Sequence, residues 1–136
     1  DTYREVKRFL DETVARAKED GYTKTVLNRR RYIPEINNPN KNLSNFGERT
    51  AMNAPMQGSA SDIIKIAMVN IKRRINKAGL KALLIAQVHD ELVFDCPKEE
   101  VNILKDLVKE EMESAFPLKV KLLVEVGIGK NWAEAK

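Results

Sequence analysis

Two apolar runs joined by a short polar tip, amphipathic stretches at helical spacing, and no βαβ rhythm together predict an α+β fold, an antiparallel sheet backed by helices. The 136 residues are 43% hydrophobic and 32% charged, the size and balance of one globular domain. No apolar run approaches a membrane span, so the expectation is a soluble intracellular chain without membrane contact. A single cysteine, Cys96, excludes an internal disulfide and reads as a small core residue. The start, Asp1-Thr-Tyr-Arg, has neither an initiator Met nor a signal-peptide layout and reads as a cut inside a longer protein.

In chain order, residues 2 to about 20 place Tyr3, Val6, Phe9 and Leu10, Thr13 and Val14, and Ala17 at three- and four-residue spacing, an amphipathic helix ended by Asp20-Gly21. Tyr22 to Val26 and Arg30 to Ile33 read as strands of a hairpin, with Asn28 at a positive-φ position. Asn37 to Asn42 is a loop by composition. From Ser44 a helix is expected through Gln57, disturbed by Pro55 and kinked at Gly58-Ser59. A second helical stretch then runs to about Lys77, with Ile64, Ala67, Met68, Ile71 and Ile75 as its core face. Lys81 to Cys96 is the central hairpin, its tip His89-Asp90-Glu91. Pro97 opens a helix carrying Val101, Leu104, Val108 and Met112, and Val120 to Ile128 reads as a final strand.

A carboxylate raised on a rigid hairpin tip suits Mg²⁺, which takes one or two protein carboxylates and completes its shell with water and phosphate oxygens. Asp90 is therefore the candidate catalytic and metal-binding residue, with Glu91 beside it. Asp is also a common turn former, and that reading stands as the alternative. Adjacent side chains on extended backbone point to opposite faces, so Asp90 and Glu91 alone are not expected to bridge two ions.

Arg49, Asn53 and Gln57 recur every fourth residue and so lie along one stripe of a helix, a row of hydrogen-bond donors. Such a row matches the minor groove, whose acceptors lie in similar places for A·T and T·A pairs. A plain solvated helix face is the competing reading. Residues 21 to 50 hold six Lys/Arg against two acids, while residues 95 to 115 hold seven acids against three Lys. Polyanion contact is thus expected in the first half, with Arg29, Arg30 and Arg31 as phosphate-contact candidates. Tyr32 is expected to pack rather than to stack on a base. His89 is expected to orient the tip or to touch a nucleic-acid backbone, with a plain structural role as the alternative.

Gln87-Val-His-Asp-Glu91 followed by an apolar strand resembles motif C of the family A DNA polymerases. Glu48-Arg-Thr-Ala-Met-Asn-Ala-Pro-Met-Gln-Gly-Ser-Ala-Ser-Asp-Ile-Ile-Lys65, Asn28-Arg-Arg-Arg-Tyr-Ile-Pro-Glu-Ile36 and Val124-Glu-Val-Gly-Ile-Gly-Lys-Asn-Trp132 follow that family in the same order. Asn28 departs from the glycine of the family pattern while keeping its backbone logic. The resemblance implies that residues 1–136 are the C-terminal palm portion of a bacterial DNA polymerase I-like enzyme, with a palm-type antiparallel sheet around the motif C hairpin. It implies template-directed transfer of deoxynucleotides to a primer 3′-hydroxyl, with two Mg²⁺ ions, primed template DNA and deoxynucleoside triphosphates as partners, in the bacterial cytoplasm. It places Arg49, Asn53 and Gln57 along the duplex minor groove. The motif A Asp and the finger-helix Arg and Lys of that family are absent from this sequence, so the fragment alone is expected to be inactive. Unpaired sheet edges lead to an expectation of self-association. A noncatalytic nucleic-acid-binding module that keeps the palm fold is the rival reading.

Overall fold

The computed structural model describes residues 3–135, so Thr2, at the expected start of the first helix, lies outside them. The chain divides into two compact units, one through Asp62 and one from Ile63. The fold is α+β in both, with antiparallel hairpins and helices.

The first unit opens on helix α1, Arg4–Asp20, which stops where Gly21 takes φ 77° and its N–H returns to the Ala17 carbonyl at 2.9 Å. Only part of its apolar stripe is covered. Ala17 is fully buried with Ile33, Ile36 and Ala51, and Val14 packs against them, whereas Tyr3, Val6 and Phe9 are exposed. Strands β1, Tyr22–Lys24, and β2, Arg30–Tyr32, pair antiparallel with Tyr22 opposite Tyr32 and Lys24 opposite Arg30. Asn28 has φ 61°, as its place in the turn demands.

Helix α2, Lys41–Lys77, corrects two expectations. It begins three residues before Ser44, because Asn40 caps it: the Asn40 Oδ1 accepts the Asn42 N–H at 2.9 Å. It also runs unbroken past Pro55 and Gly58. A proline removes one backbone donor and crowds the preceding turn, a cost that tertiary packing on both sides of it has overridden. Gly58 makes room for a close approach: a Cβ there would stand 2.6 Å from Thr25 Cγ2.

In the second unit the later turns of α2 contribute Ala67, Ile71 and Ile75 to a core closed by Ala82 and by Leu104, Leu107 and Val108 of helix α3, Val101–Glu113. Leu92, Phe94 and Cys96 pack on that core at alternate positions, the period-2 pattern of a half-buried strand. Arg74 joins α2 to α3 through Glu110 at 2.7 Å and Glu111 at 2.9 Å. Strands β3, Leu83–Val88, and β4, Glu91–Asp95, form the central hairpin, with a register shift between Leu84 and Ala86. Its foot is held by the Glu100 carboxylate, which accepts the backbone N–H groups of Lys81 and Ala82 at 2.9 and 3.0 Å.

The expected final strand is not formed. Val120 to Ile128 has no ladder partner, although Leu122, Val124 and Val126 alternate with more exposed neighbours as a strand would. Side-chain periodicity survives there without pairing because each hairpin pairs only with itself. The Val124 N–H is met instead by the Glu113 carboxylate at 3.1 Å. The expected single sheet is accordingly two separate two-stranded ones among the described residues.

Candidate active-site hairpin and nucleic-acid interface

Val88 pairs with Glu91, which leaves His89 and Asp90 as a two-residue loop. His89 takes φ 54°, a left-handed conformation uncommon outside glycine, and its carbonyl accepts the Gln87 side-chain amide at 3.1 Å. Asp90 sits in the turn and Glu91 is the first residue of β4. All three side chains are exposed, and among the described residues neither carboxylate has an ion-pair partner. An apex enclosed by apolar packing would have ended the metal reading; this one is open to solvent.

Hard carboxylate oxygens are the right donor type for Mg²⁺. Asp90 and Glu91 fit as part of such a site. No group of three or more His, Cys, Asp or Glu side chains capable of holding a metal occurs among the described residues.

In the first unit Arg49, Asn53 and Gln57 are all exposed on α2, while Ala51 and Ala54 on the opposite face are buried. The three donors are held by a helix whose other side is packed. Arg30 and Arg31 are separated by the pleat of β2. Arg31 lies opposite Thr23, and Arg30 lies opposite Lys24 with its guanidinium carbon 4.7 Å from the Tyr22 ring centroid. Bonding to Tyr32 and the neighbouring phenols raise the Arg30 pKa further, so its charge is permanent.

Arg29 plays a different part from its neighbours. Its guanidinium meets the Asp62 carboxylate at 2.7 Å, and Asp62 is only 4% exposed. The Thr25 hydroxyl donates to the same carboxylate at 2.5 Å and accepts the Arg29 N–H at 3.2 Å, while Ser59 Oγ accepts the Val26 N–H at 3.0 Å. Arg29 is thus committed to an ion pair with a buried carboxylate, its own side chain still more than half exposed. This clamp ties the basic turn to the turns of α2 just beyond Gln57. Sequence reading missed Asp62; the signal was an acid placed one helical turn after Gly58 and Ser59, where small residues let another element approach.

Cys96 behaves as expected of a core thiol. Burial, with the nearby charges of Glu100, Asp95 and Glu99, pushes its pKa up.

The order of helices and hairpins is that of a polymerase-family segment: the family model for DNA polymerase family A matches residues 1–134. The chain belongs to that family. It is 48% identical to DNA polymerase I of Bacillus subtilis over 136 residues, covering all of this chain and 16% of that protein. It is 49% identical to DNA polymerase I of Caldicellulosiruptor bescii over 134 residues, covering 98% of this chain and 16% of that one. The POL domain of Pol1 from M. smegmatis, solved in complex with DNA primer-template and dNTP, superposes with a TM-score of 0.93 at 48% identity, over 95% of this chain and 23% of that chain. The chain spans about one sixth of the length of the curated relatives it matches. No helix among the described residues is long and apolar enough to cross a membrane.

Proposed function

We propose that residues 1–136 form the C-terminal palm portion of a bacterial family A DNA-directed DNA polymerase, whose parent adds deoxynucleotides to a primer 3′-hydroxyl on a DNA template in the cytoplasm. The observation that carries this is the solvent-open carboxylate tip at Asp90, set in a chain that matches the family from end to end.

Family A polymerases are metal-dependent, and Asp90, with Glu91 next to it, would hold Mg²⁺ from this side. When bound, Mg²⁺ lowers the pKa of an attacking hydroxyl and neutralises charge at an in-line phosphoryl centre. The residues of this chain do the holding. The β3–β4 hairpin, anchored at its foot by Glu100, presents Asp90 at a fixed place, and the strained His89 backbone sets the angle of the tip. Arg49, Asn53 and Gln57 offer donors to minor-groove acceptors without distinguishing one correct pair from another. Arg31 and Arg30 add positive charge toward the sugar-phosphate backbone.

With one carboxylate pair, the 136-residue chain should show no primer extension in Mg²⁺; measurable extension would refute the assignment of an incomplete site. In the full-length polymerase, Asp90→Ala should abolish extension while leaving primer-template affinity within a few-fold. Arg49→Ala should weaken duplex binding and leave single-turnover chemistry on bound DNA largely intact. The rival reading is a module that keeps the palm fold and binds nucleic acid without chemistry. Unchanged turnover in Asp90→Ala would select it.

A further inference from the structure

We propose that the exposed face of the β1–β2 hairpin binds single-stranded DNA, stacking an unpaired base on Tyr32 while Lys24 and Arg30 hold the adjoining phosphates. This rests on the polymerase reading, to which it adds a place for strand that is not in duplex.

Pairing of Tyr22 with Tyr32 and of Lys24 with Arg30 places all four side chains on one face of the hairpin, since register partners share a face. The other face is turned inward at Thr23, which is buried. The two rings meet edge to face, with centroids 5.6 Å apart and planes at 64°. Arg30 at 4.7 Å and Lys24 at 5.6 Å both lie over the Tyr22 ring. Tyr22 is therefore the occupied ring. Tyr32 is 67% exposed, against the expectation that it would pack.

An exposed aromatic flanked by cations is the arrangement by which proteins hold single strands without reading sequence: a base stacks on the ring and the charges follow the backbone. The guanidinium of Arg30 lies over Tyr22 and bonds to the Tyr32 hydroxyl, which holds it beside the exposed ring and leaves its remaining donors for phosphate oxygens. Asp20 is the acid whose charge reaches Arg30, and the two cations of the face outweigh it. The clamp of Asp62 on Arg29 and Thr25 fixes the turn, so little order has to be gained on binding. A bare polyanion surface would need no such ring, which is why unpaired bases are the ligand favoured.

The test is fluorescence anisotropy at low salt, with a labelled oligo-dT and an abasic phosphodiester strand of equal length. The wild-type chain should bind oligo-dT several-fold more tightly than the abasic strand. Tyr32→Ala should lose about tenfold on oligo-dT, within the range for one base–aromatic stack, and nothing on the abasic strand. Tyr32→Phe should keep wild-type affinity, and Tyr32→Leu, which preserves strand-forming bulk without a π face, should fall with alanine. Equal affinity for the two strands, no binding to either, or a Phe variant as weak as Ala would each overturn the proposal. Primer-template binding and extension by the full polymerase are scored separately through Arg49→Ala and Asp90→Ala, so failure here is distinguishable from failure there.

Discussion

At the scale of single residues, the most consequential side chain is one that only the small residues a helical turn before it could have pointed to. Asp62 is buried, and its charge is met by Arg29 and the Thr25 hydroxyl. Asp62→Asn keeps the size and removes the charge, weakening two charge-assisted bonds; we expect a loss of about 2 kcal/mol in urea denaturation. Asp62→Ala should cost more, because Arg29 and Thr25 lose their partner altogether. An unchanged midpoint in both would show the clamp to be idle. Cys96 makes a milder prediction. With its pKa raised, it holds less thiolate than a free cysteine at any given pH, so alkylation by iodoacetamide at pH 8 should be slower in the folded chain than in urea, and the rate should climb only above the ordinary thiol range. Alkylation at the same speed in both states would contradict this. Single-residue roles were the least legible part of the sequence. Asp90, Arg49, Asn53 and Gln57 sit in patterned stretches, whereas the Arg29–Asp62 pair spans 33 positions and only the fold brings it together.

At the scale of elements, periodicity located nearly every helix and both hairpins, since a 3.6-residue or two-residue repeat needs nothing beyond the chain itself. Asn28 and its positive φ were readable for the same reason: the turn is local. Boundaries set by tertiary contact were not. Pro55 was read as a disturbance near the end of one helix, with a second beginning after Gly58-Ser59, whereas it lies inside the single α2, where both flanking stretches are pinned by packing. The Ala51 carbonyl, one turn earlier, should then lack its helical donor, and Pro55→Ala would restore it. We expect that substitution to stabilise the chain by about 1–3 kcal/mol, visible as a higher thermal midpoint. A lower midpoint would mean that the proline is part of a bend the fold requires. The stretch from Val120 to Ile128 failed in the opposite sense. Its alternation was legible, but a strand also needs a neighbour, and sequence pattern cannot supply one.

At the scale of the whole molecule, each sheet has two strands and therefore two open edges, and Leu83 and Ile85 on β3 are exposed at 53% and 60%. Exposed apolar strands of this kind recruit other strands. The chain should self-associate with rising concentration in light scattering, and Ile85→Lys should shift it toward monomer. A monomer throughout the accessible range would sink that expectation. Charge acts at the same scale. The net formal charge is only +4, but residues 21 to 50 set six Lys/Arg against two acids, so DNA affinity should fall steeply with added salt, and Arg31→Ala should make the slope shallower by about one phosphate contact.

The left-handed histidine at the tip has an evolutionary corollary. Glycine would relax position 89, so His89→Gly should melt at least as high as the parent while letting the neighbouring carboxylate wander. Screening variants for heat resistance alone would then drift toward a looser tip, because thermostability and aim pull on that one backbone angle from opposite directions.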